Sequence, residues 1–261
     1  MKIGLCASLA DASTAHEAGF DYIEENVQNL LVAEQPDEIF ALKLKVPKSA
    51  PLPVLAANCF LPGALKCTGP DVDPGRLDRY ASAAFSRAHE SGIRFIVFGS
   101  GGARQIPEGF SRAEARNQFL ACLRRFAPLA EAQDIVLVLE CLNRKECNFV
   151  NSLAEGAALV EEVNHPHLRL LADIYHMAME GEAADEIIKH GRWLQHIHVA
   201  EKEGRQAPGT HGEDFGPFLR ALQEIDYRGA ISFECAWQDL PEQASGSVKS
   251  FREQLRQAYL I

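Results

Sequence analysis

The chain has 261 residues, 47% of them apolar and 24% charged, with a formal net charge of −10. That acidity disfavours a nucleic-acid phosphate backbone as a general partner, and no apolar run has the length of a membrane span, so neither nucleic acid nor membrane is expected. The length suits one large α/β domain over residues 1–261.

The amino terminus, "MKIGLCASLADAS", begins directly in a strand-like run with no signal-peptide pattern. Seven cysteines lack CxxC spacing and read as buried free thiols, so a reducing cytoplasm is expected. From there, short apolar or β-branched runs alternate with helical patterns. Strands are predicted at 2–8, 21–27, 53–60, 94–100, 135–142, 168–175, 194–201 and 230–236. Helical periodicity is clearest at 73–92, 111–133, 152–164, 183–191 and 214–226. Gly92 is placed to end the first of these, and Ser111, Ser152 and Asp214 to cap later ones. Strict alternation predicts a parallel sheet, and eight units of about 30 residues predict a (β/α)8 TIM barrel. The first turn, "ASLADAS", lacks the glycines of an open dinucleotide-binding sheet.

Active sites of such barrels lie at the carboxyl ends of the strands. The last four predicted strands carry Glu140, Asp173, His198 and Glu234 near those ends. Three converging carboxylates repel one another unless a cation compensates them. Oxygen ligands with one imidazole suit one divalent metal ion, Mn²⁺ first, with Mg²⁺, Co²⁺ or Zn²⁺ as alternatives. Glu140 and Glu234 come from separated strands and can flank a chelated substrate. One would remove a carbon-bound proton and the other return it, while the metal polarises the carbonyl and stabilises the enediolate. His196 shares the parity of His198 but lies deeper and is read as a core histidine. His211, in "PGTHGED", is read as a solvated loop residue.

The motifs "LECLNRKE", "DIYHM", "HIHVAEKEGRQAPG" and "YRGAISFE", in that order, resemble the xylose-isomerase-like TIM-barrel superfamily of sugar isomerases and epimerases. The closest likeness is to its ketose 3-epimerase and hydroxypyruvate isomerase branch, and it runs from "AHEAGFDYIEE" to "YRGAISFEC". The resemblance implies metal ligation by Glu140, Asp173, His198 and Glu234, with Glu140 and Glu234 as the acid/base pair. It also implies substrate contacts from Glu146, His176 and Arg205, a small-molecule sugar substrate, and a homo-oligomer.

Two other activities share this scaffold. An apurinic-site endonuclease needs further metal ligands from strands three and four, where this chain has "ANCF" and "FGSGG". A lyase that dehydrates a keto-inositol or keto-sugar would use the same ligand set, and residue types alone do not separate it from an isomerase. A sugar-binding barrel without activity is disfavoured by the two glutamates.

Overall fold

The computed structural model describes residues 1–259. Eight parallel strands close into a barrel in chain order: β1 (Lys2–Cys6), β2 (Tyr22–Asn26), β3 (Val54–Asn58), β4 (Phe95–Phe98), β5 (Val136–Glu140), β6 (Leu168–Asp173), β7 (Leu194–Val199) and β8 (Ala230–Phe233). Closure is made by β1 against β8, with Lys2 opposite Ala230 and Leu5 opposite Phe233. Each strand falls inside one of the predicted segments.

One principal helix follows each strand: α1 (Ala12–Ala18), α2 (Asp37–Lys43), α3 (Pro74–Glu90), α4 (Arg112–Glu131), α5 (Leu153–Val163), α6 (Asp185–His190), α7 (Gly216–Glu224) and α8 (Leu240–Tyr259). Ser111 and Ser152 cap α4 and α5 by accepting from Glu114 N and Glu155 N. Gly92 adopts a left-handed φ of 79° just beyond α3, a conformation glycine takes without penalty. Asp214 departs from its expected role. The cap position of α7 is Phe215, and Asp214 instead accepts from Gly216 N at 2.8 Å in a turn before the helix.

Helices α1, α2 and α8 were not among the predicted ones. Pro241 and Gly246 obscure α8, yet its Ala244, Val248, Phe251 and Ala258 are buried. The Phe251 ring meets Phe215 and Phe233 at centroid distances of 5.8 and 5.2 Å. None of the helices among the described residues is long and apolar enough to cross a membrane.

Side-chain alternation divides the strands between two cores. Outward residues such as Leu5, Ile23, Phe98, Leu139 and Ile197 pack under the helices. Inward ones fill the barrel with Tyr22, Ala56 and Ala230 on one side and Val97, Val138 and Leu171 on the other. Gly4 makes room for this filling, since a Cβ there would lie 2.1 Å from the Tyr22 ring. Toward the carboxyl ends the same inward register turns polar: Glu24, Asn58, Glu140, Asp173, His196, His198 and Ser232 are all buried.

The expectation of buried thiols holds for Cys67, Cys122, Cys141 and Cys147, whereas Cys59 is exposed and Cys6 and Cys235 are half-buried. The three exceptions end or closely follow β1, β3 and β8, where the barrel opens. All seven are free.

Candidate active site

Strand geometry brings the four strand-end residues together. Ligand atoms of Glu140, Asp173, His198 and Glu234 all lie within 4.8 Å of one another. The Nδ1 atom of His198 is 3.1 Å from Glu140 Oε1, 3.5 Å from Glu234 Oε2 and 3.9 Å from Asp173 Oδ2. Asp173 does two jobs: Oδ1 accepts from His176 N at 3.1 Å and caps the short helix Ile174–Glu180, while Oδ2 faces the cluster. That Oδ2 is buried and has no hydrogen bond among the described residues. An orphan carboxylate oxygen in a cluster of acids and one imidazole fits a divalent cation.

Neighbouring groups hold each acid in place. Glu234 Oε1 accepts from Asn58 Nδ2 at 3.1 Å, and its Oε2 is bound by the Arg205 guanidinium. Glu140 ends a strand whose last carbonyl accepts from Arg104 Nη1 at 2.7 Å. Arg104 is fully buried and ties the short helix Gly101–Arg104, after β4, to the end of β5. Gly99 is as demanding: a Cβ there would sit 2.0 Å from Glu140 Oε2.

The crowding of charge appears in the protonation equilibria. Burial pushes Glu140 up, opposed by its hydrogen bond with His198. Burial and the charge of Glu234 carry Asp173 up to about 6. Burial also acts to raise Glu234, but His198 and Arg205 overcome it and bring that carboxyl down to about 2. A dication between these groups would relieve the repulsion.

The residues assigned to substrate surround this cluster. His176 Nδ1 accepts from Asn143 N at 3.2 Å and Asn143 Nδ2 at 2.7 Å, so Nε2 carries the proton. Its Nε2 is buried and makes no hydrogen bond among the described residues, lying 3.6 Å from Asp173 Oδ2 and 3.9 Å from Glu146 Oε2, and burial lowers the ring's basicity. A neutral imidazole thus aims an N–H without a hydrogen bond between Asp173 and Glu146 at the cavity wall. Arg205 reaches Glu146 Oε1 at 3.3 Å and lies 4.7 Å from the centroid of the Tyr175 ring. Together Asn58, Glu140, Glu146, His176, Arg205 and Glu234 line one cavity of about 290 Å³.

Arg205 stands on a loop organised by a residue that sequence reasoning passed over. Glu201 is fully buried and accepts backbone N–H bonds from Gly209 at 2.7 Å, His211 at 2.6 Å, Gly212 at 3.2 Å and Glu213 at 3.3 Å. The His211 ring is exposed, in keeping with its reading as a loop residue. His196 lies below the cluster, its Nε2 2.7 Å from Glu24 Oε2. Glu24 was also missed. The signal was the pair "EE" in β2, since alternation sends one of two adjacent strand glutamates into the barrel.

Fold and site define a TIM barrel with an acidic, histidine-bearing cluster at its carboxyl mouth. The family model described as xylose isomerase-like TIM barrel matches residues 12–255, and the chain belongs to that family. It is 33% identical over 167 residues to an L-ribulose 3-epimerase of Methylomonas sp. (strain DH-1), covering 58% of each protein. It is 30% identical over 141 residues to a putative hydroxypyruvate isomerase of Homo sapiens, covering 51% of each. The chain thus spans about half the length of the curated relatives it matches. In three dimensions it superimposes on a D-allulose 3-epimerase from Methylomonas sp. with a TM-score of 0.84, 29% identity and 98% coverage of both chains. A structure of that enzyme in complex with D-allulose aligns with a TM-score of 0.82 and 29% identity, covering 97% of each chain.

Proposed function

We propose that this protein is a divalent-metal-dependent isomerase or epimerase of a small ketose or keto-acid sugar. The observation that carries the reading is the convergence of Glu140, Asp173, His198 and Glu234, with two glutamates contributed by separated strands. The names and structures of the similar ketose 3-epimerases support it. Glu140, Asp173, His198 and Glu234 would hold the ion, for which this donor set favours Mn²⁺ over Mg²⁺, Co²⁺ or Zn²⁺. When bound, a divalent ion supplies Lewis-acid polarisation of the substrate carbonyl.

The chain's own residues do the remaining work. Glu140 and Glu234 exchange the proton on the carbon beside the carbonyl, one acting as base on one face and the other as acid on the opposite face. Asn58 holds Glu234 Oε1, leaving the second oxygen toward the cluster. The His176 Nε2–H, held in that form by Asn143, donates to a substrate oxygen. Arg205 and Glu146 bind hydroxyl groups from the rim.

The test is incubation of the Mn²⁺-loaded protein with a ketose panel in D₂O, followed by NMR. Deuterium at C3 with an epimeric product identifies a 3-epimerase, and deuterium at C1 or C2 with an aldose identifies an isomerase. Loss of water identifies the dehydratase alternative. No exchange with any ketose or keto-acid contradicts the proposal.

A further inference from the structure

We infer that Glu24 is a positioning residue of the metal centre: its carboxylate fixes the His198 ring so that Nδ1, not Nε2, is the nitrogen offered to the ion. The inference rests on the metal-binding reading above and extends it below the ligand cluster.

His198 is completely buried, and each of its ring nitrogens has a different neighbour. Nδ1 faces the acids of the cluster, while Nε2 is 2.8 Å from Glu24 Oε1. A neutral imidazole has one N–H and one lone pair, and an ionised carboxylate only accepts. Glu24 takes the N–H on Nε2, so that an ion at the centre of the cluster would displace only the proton that Nδ1 otherwise shares with Glu140 Oε1 at 3.1 Å and would meet the Nδ1 lone pair. Such a carboxylate behind a ligating histidine sets the ring's tautomer and orientation and increases its basicity.

Glu24 is itself held too firmly to swing into the cluster. Its Oε2 accepts from His196 Nε2 at 2.7 Å and from Ser232 Oγ at 2.6 Å, and Tyr22 OH is 2.7 Å from the same Ser232 Oγ. The His196 Nδ1 is buried with no partner among the described residues, and its ring lies against Phe95 at 5.8 Å between centroids. A neutral His196 with its proton on Nε2 strands only an acceptor there, whereas a proton on Nδ1 would strand a donor. Two histidines from β7 and a serine from β8 thus direct three donors at one carboxylate from β2. This also argues against Glu24 as a ligand of a second ion with Cys6 and His198, although ligand atoms of those three lie within 4.8 Å of one another. Both Glu24 oxygens already receive donors.

Glu24→Gln tests the inference. A carboxamide has a single acceptor oxygen and an NH₂ that opposes an imidazole N–H, so one of the two histidines loses its partner. The dissociation constant for Mn²⁺, followed by the EPR signal of free Mn²⁺, should rise about 10–100-fold. Equal affinity in wild type and Glu24→Gln overturns the role of Glu24. Failure of the wild type to bind Mn²⁺ overturns the metal reading itself and the inference with it. If the variant does not fold, ¹⁵N-histidine NMR of the wild-type protein loaded with ¹¹³Cd²⁺ decides. One-bond coupling on His198 Nδ1, with Nε2 protonated, is expected, and coupling on Nε2 overturns the assignment.

Discussion

Gly99→Ala perturbs the site without removing any functional group. A Cβ there meets Glu140 Oε2 at 2.0 Å, Glu140 Cδ at 3.2 Å and Leu142 Cδ2 at 3.6 Å. A close carbon–oxygen contact is about 3.3 Å, so the carboxylate oxygen must retreat by about 1.3 Å. The φ of Gly99 lies outside the left-handed region, and the backbone itself accepts alanine. The added methyl group therefore acts chiefly on Glu140. Displacement of a catalytic group by about 1 Å is enough to lose about 100-fold in rate, equivalent to about 2.7 kcal/mol of transition-state stabilisation. The expected result is a fall of that order in kcat/KM for the sugar found by the D₂O panel, together with weaker Mn²⁺ binding and an unchanged far-UV circular dichroism spectrum. Wild-type exchange and wild-type metal affinity in a folded Gly99→Ala protein would refute the claim that Glu140 works from this position.

Glu234→Gln keeps the size of the side chain but removes a proton acceptor, and solvent deuterium exchange should fall by about 10²–10⁴-fold. Glu201→Ala strands four backbone N–H groups, at about 1–3 kcal/mol for each that water does not reach. Residues 202–213 should then exchange amide hydrogen faster and, because Arg205 rides on that loop, KM should rise more than kcat falls. Mn²⁺ at about 100 times its dissociation constant should stabilise the fold by about 2.7 kcal/mol, raising Tm by about 5–10 °C. EDTA should reverse that shift in a thermal melt.

Short apolar or β-branched runs made every strand of the barrel legible, and strand ends made the cluster legible, because the carboxyl ends of β5, β6 and β7 and the residue just past β8 each place one ligand-type side chain inward. The roles of Glu146, His176 and Arg205 came from resemblance alone. What placed them needed coordinates: Asn143 setting the His176 tautomer, and Glu201 gathering a loop whose ends are 12 residues apart. Glu24 was hidden because Tyr22 and Ile23 are both apolar and leave the parity of β2 ambiguous. Arg104 was hidden by its glycines, which marked "GSGGAR" as a turn and gave no sign that its arginine would be fully buried beneath Glu140. Helix α8 was missed for a related reason, since proline, glycine and serine within it weaken local propensity while packing of Phe251 against Phe215 and Phe233 decides the outcome.

The central claim is that one divalent ion is held by these four strand-end side chains. Crystals grown with Mn²⁺ and measured at the manganese absorption edge test it directly. The expected result is one anomalous peak within about 2.0–2.3 Å of an oxygen of Glu140, Asp173 and Glu234 and of Nδ1 of His198. A peak bound elsewhere, or none at saturating Mn²⁺, would contradict it.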